Sequence, residues 1–207
     1  MTLESPRYAE PARLKLLVEL GAMSGSNGRY EKHLADLSGL YRDSAAFDRA
    51  LENDTGEPAY FVESSVIEGG DGALTVGIST VLPGRFGDEY AMTRGHVHEQ
   101  AECAELYYGL TGRGVMLMET LDGQTRALEI VPGVAVHVPG HWIHRSVNVG
   151  HTPFSTLFCY ATEAGQDYNV IARAGGMKKL VVVDDAPGAS SWTLRDNPDH
   201  RGYAEKD

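Results

Sequence analysis

After residue 56, short runs of β-forming residues recur at close intervals, and glycine or proline separates them. Nine such runs are present, at 60–66, 74–82, 90–98, 105–110, 114–121, 125–131, 134–138, 144–149 and 154–160. Short strands spaced this evenly are typical of antiparallel sandwiches and barrels. Because no helical pattern separates the runs, a parallel α/β sheet is not expected. The pair Asp122-Gly123 lies between two runs and predicts a tight hairpin, since both residues accept positive φ values.

The first third of the chain has a different pattern. Three leucines between positions 34 and 41 are spaced as on one face of a helix. Asp43 and Ser44 have the character of N-cap residues and predict a second short helix after them. The last residues are polar and contain glycine, proline and aspartate, which predicts a loosely held tail. We therefore expect a short N-terminal helical extension at 1–56, a β-barrel at 57–183 and a tail at 184–207.

The charge of the chain limits its partners. The sequence has 18 basic and 29 acidic residues, for a formal net charge of −11. Without a run of lysines or arginines, such a surface argues against nucleic-acid binding and against docking to anionic membranes. A small anion remains admissible, because backbone N–H groups and hydroxyls can hold it locally.

The N-terminal residues and the cysteines indicate a cellular location. An apolar cluster at 14–20 is interrupted by Lys15 and Glu19, which fits neither a secretory signal nor a transmembrane span. Cys103 and Cys159 are the two cysteines of the chain, too few for a disulfide framework. We therefore expect a protein of the reducing cytoplasm.

Three residues of metal-ligand type lie close together at His96, His98 and Glu105. Residues two apart on a strand point to the same face, so both imidazoles are expected in one cavity. Glu105 begins the next run, and a turn within 99–104 would bring its carboxylate to the same cavity. His144 is a fourth candidate. Three imidazoles and a carboxylate suit a divalent ion such as Fe(II), Mn, Co, Ni or Zn.

The same residues form a pattern with positions further along the chain. Gly133 and Pro139 stand in a Gly-x5-Pro spacing before His144, and Asn148 follows it. The succession of His-x-His, Glu, Gly-x5-Pro, His and Asn resembles the two motifs of the cupin superfamily. The resemblance implies an all-β fold, a cupin jelly-roll β-barrel with a short N-terminal helical extension.

Six residues separate His98 from Glu105, and this longer spacing resembles that of the cupin-type glucose-6-phosphate isomerases. Further matching blocks lie at 33–37, 83–85, 92–98, 105–107, 109–118, 142–148 and 164–168. They extend over about residues 33 to 177. The resemblance implies a homodimeric enzyme that interconverts glucose 6-phosphate and fructose 6-phosphate. It also implies one divalent metal ion per subunit, with Fe(II) ranked first and Mn, Co, Ni and Zn as alternatives.

The resemblance further implies roles for individual residues. It assigns metal binding to His96, His98, Glu105 and His144, phosphate contacts to Ser79, Thr93, Gly95 and Tyr160, and sugar contacts to Tyr60 and Tyr107. Gln166 stands where the family often has histidine. Its amide can hydrogen-bond a sugar hydroxyl but cannot shuttle a proton, so we predict that it binds substrate only.

Two catalytic routes are compatible with these residues, and both make Glu105 and His144 the catalytic candidates. In one route Glu105 abstracts the proton from carbon 2, which gives a cis-enediolate, and returns it to carbon 1. In the other route the hydrogen moves as a hydride and Glu105 only binds the metal. Epimerisation of mannose 6-phosphate is possible chemistry for the same enediolate.

Some assignments have competing interpretations. In the run 74–82 the apolar alternation places Thr80, and not Ser79, on the apolar face. Tyr107 and Tyr160 are also explained as core aromatics whose hydroxyl is hydrogen-bonded. For the whole chain, the alternative functions are a metal-dependent cupin oxygenase and a non-catalytic sugar-binding cupin.

Overall fold

The computed structural model describes residues 10–66, 72–186 and 191–203, and strands dominate these ranges. The strands are β1 (Lys15–Leu17), β2 (Ala22–Ser24), β3 (Gly28–Lys32), β4 (Tyr60–Val66), β5 (Leu74–Val81), β6 (Arg85–Phe86), β7 (Glu89–Tyr90), β8 (Glu105–Thr111), β9 (Gly114–Thr120), β10 (Thr125–Ile130), β11 (Ala135–Val138), β12 (Trp142–Asn148), β13 (Phe154–Ala161), β14 (Lys179–Val183) and β15 (Trp192–Asp196). The α-helices are α1 (Ser44–Glu52) and α2 (Asn169–Arg173), and single 3-10 turns occur at Val18–Leu20, Leu34–Leu37 and Thr162–Ala164. No helix in these ranges is long and apolar enough to cross a membrane.

Two antiparallel sheets face each other across an apolar core. One has six strands in the order β11-β8-β13-β5-β4-β3, and the other has three in the order β10-β9-β12. Val62 and Phe154 from the first sheet pack against Met116, Met118 and Ile130 from the second. A further small sheet has the order β15-β14-β7-β6. This arrangement confirms the predicted all-β jelly roll.

Eight of the nine predicted runs contain a strand, and the run at 90–98 is the exception. Strand β7 ends at Tyr90, and the following residues pair with β12 only through isolated bridges, at Met92 and His96. The break occurs because Gly95 has a φ of 74°. A side chain is not tolerated there, since a Cβ on Gly95 would lie 2.8 Å from the carbonyl oxygen of His144. The two histidines therefore do not sit on a regular strand, although their rings still converge, with centroids 5.4 Å apart.

The predicted hairpin is present, with a different turn from the one expected. Strands β9 and β10 are paired antiparallel, and the Gly123 amide donates to the Thr120 carbonyl at 2.9 Å. Gly123 has a φ of 85°, whereas Asp122 is not among the residues with positive φ. The turn is held instead by the Thr120 hydroxyl, which accepts from the Gln124 amide at 3.0 Å.

The N-terminal region is only partly helical. Helix α1 begins as predicted, and the Asp43 carboxylate accepts from the amide of Ala46 at 2.8 Å. The helix expected at 34–41 is a single 3-10 turn, because Ser38 leaves the helical region with a ψ of 131° and ends it. Strands β1 to β3 were not predicted. Of these, β3 pairs with β4 and becomes the edge of the six-stranded sheet.

The described part of the predicted C-terminal tail is packed and not loosely held. Strand β15 pairs with β14 along its whole length. The fully buried Glu119 carboxylate accepts hydrogen bonds from the amides of Lys178 and Lys179, both at 2.8 Å, and from the hydroxyl of Tyr203 at 2.5 Å. A buried carboxylate is tolerated only when it is satisfied in this way, and this need orders the segment. Residues 1–9, 187–190 and 204–207 lie outside the described ranges.

Candidate metal centre

Four buried side chains converge between the two sheets: His96, His98, Glu105 and His144, called here the histidine cluster. Their potential ligand atoms all lie within 4.8 Å of one another. Glu105 is the first residue of β8, whereas His144 lies in β12 of the opposite sheet. The backbones of His96 and His144 exchange two hydrogen bonds, of 3.0 and 2.9 Å. The fold therefore brings together all four residues that the sequence indicated as ligands.

Backbone carbonyls fix the orientation of two of the rings. The Nδ1 atom of His98 donates to the Cys103 carbonyl at 2.9 Å, and that of His144 donates to the Trp142 carbonyl at 3.0 Å. In neutral rings this leaves the Nε2 lone pairs free. Both Nε2 atoms point at Oε2 of Glu105, at 3.2 and 3.1 Å. Lone pairs facing a carboxylate oxygen are the arrangement expected around a shared cation.

His96 supplies a second sign of a cation site. Its Nε2 atom is buried and has no hydrogen-bond partner among the described residues. It lies 3.7 Å from Oε2 of Glu105. Buried polar atoms are rarely left without a partner, so an orphan aimed at three other donor groups fits a metal ligand.

The protonation states of the histidine cluster also suit a metal. Burial, together with repulsion from His144, lowers the pKa of His96 to about 4, so this ring is neutral at pH 7. Burial alone would raise the pKa of Glu105, but the three histidines around its carboxylate hold it well below its ordinary value. An ionised carboxylate among imidazoles matches the ligand preference of borderline divalent ions.

A cavity adjoins the histidine cluster and is called here the pocket. All seven residues predicted to contact substrate line it: Tyr60, Ser79, Thr93, Gly95, Tyr107, Tyr160 and Gln166. The apolar alternation in this strand predicted that Thr80, and not Ser79, faces inward. Ser79 lines the pocket instead, because this part of the inner face borders a cavity and not the core. The Thr80 hydroxyl is bonded instead to that of Ser155, at 2.8 Å.

Two of the lining tyrosines are neutral phenols close to the histidine cluster. Burial, reinforced by the nearby Glu105 carboxylate, raises the pKa of Tyr107 well above its ordinary value. Burial, again with Glu105, raises the pKa of Tyr160 to about 12. Both side chains are therefore hydrogen-bond donors on the wall of the pocket.

Several lining residues were missed by sequence reasoning, among them Tyr30, Arg145 and Tyr168. Tyr30 belongs to the unpredicted strand β3, and no motif marks it. Tyr168 stands in a block that resembles the family, so that block was the available signal. Arg145 is buried beside His144, and its guanidinium donates to the carbonyl of Arg94 at 2.7 Å.

Comparisons with known proteins agree with the site. The family model for glucose-6-phosphate isomerase (GPI) matches residues 31–199. A glucose-6-phosphate isomerase of Sinorhizobium medicae is 44% identical over 193 residues, which cover 90% of this chain and 90% of that protein. One from Thermococcus litoralis is 35% identical over 196 residues, covering 94% and 99%.

A further relative and one solved structure complete the comparison. A putative glucose-6-phosphate isomerase 1 of Rhizobium meliloti is 42% identical over 192 residues, covering 93% of this chain and 88% of that protein. A recombinant oxalate oxidase in complex with glycolate is 16% identical, covers 59% of this chain and 62% of its own, and has a TM-score of 0.45. The resemblance inferred from the sequence blocks is confirmed, and the chain belongs to the glucose-6-phosphate isomerase family.

Proposed function

We propose that this isomerase interconverts glucose 6-phosphate and fructose 6-phosphate in the pocket. The observation that carries the proposal is the position of the histidine cluster, since His96, Glu105 and His144 line a cavity that is also lined by hydroxyls and phenols. Such a site offers an acid–base group beside donors for an oxyanion and for a phosphate, as aldose–ketose isomerisation requires. No feature of the described residues favours the oxygenase or the non-catalytic sugar-binding alternative.

The histidine cluster would hold one divalent metal ion through His96, His98, Glu105 and His144. Fe(II) is our first choice, and Mn, Co, Ni and Zn suit the same donor set. When bound, such an ion supplies Lewis-acid polarisation of the substrate's carbonyl and hydroxyl oxygens. The carbonyl of Trp142 keeps the Nε2 atom of His144 available as a ligand, and this is the catalytic role that we assign to His144.

Glu105 is our candidate for moving the proton between carbon 2 and carbon 1. Its Oε2 atom faces the three histidines. The carboxylate is ionised and therefore in the form that accepts a proton. In a hydride shift, by contrast, Glu105 would remain a ligand and the substrate hydrogen would never exchange with water. Turnover in deuterated water separates the two routes.

Hydroxyl groups that can still donate their proton supply the proposed phosphate contacts. The Thr93 oxygen accepts from the amide of Ser146 at 3.1 Å, and Tyr160 lines the pocket as a neutral phenol. Both hydroxyl protons are then left to donate to an anion. Ser79 and the backbone N–H of Gly95 complete the set that we propose for the phosphate. The net charge of −11 is compatible with this, because a small anion needs only local donors.

We further propose a homodimer in the cytoplasm. The outer face of the six-stranded sheet exposes large apolar side chains on neighbouring strands, with Leu106 45%, Tyr108 37% and Val134 36% exposed. An apolar patch of this kind is typical of a subunit interface. Light scattering measures the oligomeric state, and Leu106→Glu is expected to yield a monomer. A monomeric wild-type protein would refute the homodimer.

A coupled assay with fructose 6-phosphate tests the proposed function. We expect metal-dependent conversion without oxygen, loss of activity with chelator and recovery on adding back a divalent ion. Metal analysis of the purified protein identifies the ion. A product screen with mannose 6-phosphate reveals any epimerisation. Failure of the metal-loaded protein to convert fructose 6-phosphate would refute the proposal, and oxygen consumption with substrate would point to an oxygenase.

A further inference from the structure

The segment that carries two of the proposed phosphate contacts forms a β-bulge against β12. Isolated bridges join Met92 to Val147 and His96 to His144. Between these bridges the first segment has three residues, 93–95, whereas β12 has only two. An extra residue of this kind bends a strand and redirects its side chains. We call residues 93–95 the phosphate bulge.

Backbone hydrogen bonds locate the extra residue. The Thr93 amide donates to the Ser146 carbonyl at 2.9 Å, and the Ser146 amide donates to the Thr93 hydroxyl at 3.1 Å. Thr93 is therefore still in register with β12. The next two residues, Arg94 and Gly95, lie opposite the single residue Arg145. Among the described residues, the N–H of Gly95 donates to no protein acceptor, so it is left for a bound anion.

The side chain of Arg145 spans the phosphate bulge from behind. Its Nη2 atom donates to the Arg94 carbonyl at 2.7 Å, and its Nη1 atom donates to Sδ of Met92 at 3.0 Å. Its stem lies against Gly95, because a Cβ on that glycine would be 2.9 Å from the Cβ of Arg145. Side chains alternate along a strand, so Arg145 leaves β12 on the face opposite His144. The guanidinium therefore supports the phosphate bulge and does not occupy the place of the anion.

The guanidinium of Arg145 is buried without forming an ion pair. Arg145 is 3% exposed, and Ile143 and Val147, which point the same way, belong to the apolar core behind the sheet. Its Nε atom has no hydrogen-bond partner among the described residues. The carboxylates of Glu119 and Glu89 attract it only from beyond the length of an ion pair. Burying a cation in this way is costly, and its weakly screened charge favours an anion at the neighbouring phosphate bulge.

We infer that Arg145 is a positioning residue for the phosphate group of the substrate, which holds the phosphate bulge so that the Thr93 hydroxyl and the Gly95 N–H face the anion. The inference rests on the proposed function and deepens it, because it names the residue that sets the geometry of phosphate recognition. The planar guanidinium makes both of its contacts at once, and the single ammonium of a lysine does not reproduce this geometry. A lysine would keep the charge, whereas a methionine would lose both.

The experiment measures phosphate recognition with two ligands that bind without reacting. Hexitol 6-phosphate carries sugar and phosphate, whereas ethyl phosphate carries the phosphate without the sugar. Calorimetry on the metal-loaded protein gives the affinity of the first, and displacement of the first gives that of the second. We expect Arg145→Lys to weaken both ligands by the same factor, roughly three- to tenfold, and Arg145→Met by roughly ten- to hundredfold. In Arg145→Lys, KM for fructose 6-phosphate should rise by more than kcat falls.

Arg113→Met is the matched control, because it removes the same charge at another place. The Arg113 guanidinium donates to the Ser191 hydroxyl at 2.7 Å and to the Glu129 carboxylate at 2.6 Å, and Arg113 does not line the pocket. We expect wild-type affinity of the control for both ligands. Metal content should match that of wild type in the control and in Arg145→Lys. If Arg145→Met does not fold, as thermal unfolding will show, Arg145→Lys decides the inference alone.

Three results would overturn the inference. The first is wild-type affinity of Arg145→Lys for hexitol 6-phosphate. The second is unchanged affinity for ethyl phosphate when that for hexitol 6-phosphate falls, because the effect would then lie at the sugar. The third is a loss of metal in proportion to the loss of binding, which a general structural role predicts. If the wild-type protein binds the hexitol phosphate but does not isomerise fructose 6-phosphate, the proposed function fails while the binding comparison still decides the inference.

Discussion

The histidine cluster and the rest of the pocket lining are assembled in opposite ways. Three members of the histidine cluster lie between positions 96 and 105, and the fourth is joined to them by backbone hydrogen bonds. The rest of the pocket lining, in contrast, brings Tyr30 near one end of the chain together with Tyr168 near the other. Metal ligation needs fixed side-chain types at a short spacing, whereas sugar recognition needs only a donor in the right place. The first requirement leaves a motif in the sequence, and the second does not.

The largest expected effect is at the histidine cluster. In His144→Ala the metal loses a ligand whose ring is held by the Trp142 carbonyl. We expect metal content to fall well below one ion per subunit and activity to fall on the order of a hundredfold or more. Elemental analysis and the coupled assay measure both. His137→Ala, at an exposed position of β11, is the control and should keep both. Full metal content in His144→Ala would show that His144 is not a ligand.

Glu105→Gln separates ligation from proton transfer. It keeps the shape of the side chain but removes the charge that accepts a proton. Assayed at saturating metal, it should lower kcat roughly 100- to 10,000-fold if Glu105 is the base. Turnover of glucose 6-phosphate by the wild type in deuterated water should incorporate solvent hydrogen at carbon 1 of the fructose 6-phosphate formed. Complete retention of the substrate hydrogen at every temperature would instead favour the hydride shift.

Thr93→Val tests the phosphate contact. Its expected effect on activity is smaller than those of the histidine cluster variants and larger than that of pH. The Thr93 oxygen is already used by the Ser146 amide, so the variant removes one donor to the anion. We expect KM to rise roughly tenfold with kcat little changed, as for lost uniform binding. Thr111→Val is the control, because the Thr111 hydroxyl bonds the Pro153 carbonyl at an exposed site. A fall in kcat alone would place Thr93 in catalysis.

The smallest expected effect is that of pH, which should change activity through the histidine cluster and not through the phenols of the pocket. Histidine ligands must be neutral, so acidification protonates rings, releases metal and lowers activity, although the pKa of His96 of about 4 delays protonation of that ring. The phenols behave differently. Burial raises the pKa of Tyr60 and of Tyr160 to about 12, so both stay protonated through mildly alkaline pH. A pH profile at saturating metal should decline on the acid side and stay flat to about pH 9. An alkaline decline below that would contradict neutral phenols as the substrate donors.

The same comparison between local and long-range features explains which parts of the fold and the site could be predicted from the sequence. The ligands and the eight confirmed strand positions depend on local spacing and turn residues, which one sequence displays. The break at Gly95 was not predicted, because it results from the close approach of the His144 carbonyl from another strand. The face of Ser79 was ambiguous, because alternation detects apolar surroundings and does not distinguish a core from a cavity. Tyr30 could not be found at all, since its place depends on the pairing of β3 with β4.

The assignments drawn from the resemblance differ in status. The four ligands and the seven lining residues lie where the resemblance implied, yet their roles remain predictions until the variants are measured. The division of the chain at residues 56 and 183 is likewise a prediction. The structure connects both outer segments to the centre, through the pairing of β3 with β4 and of β15 with β14.

The buried carboxylate of Glu119 has a consequence for the order of events during synthesis. Its partners at Lys178, Lys179 and Tyr203 leave the ribosome long after it does, and Tyr203 is 84 positions later. Glu119 lies opposite Ile143 of β12, the neighbour of His144. A nascent chain that had already formed this sheet would hold an unsatisfied charge beside the metal-bearing strand. The centre of the sheet is therefore expected to reach its native packing only after Tyr203 has been translated. Ribosome-bound chains arrested before that point should remain sensitive to protease.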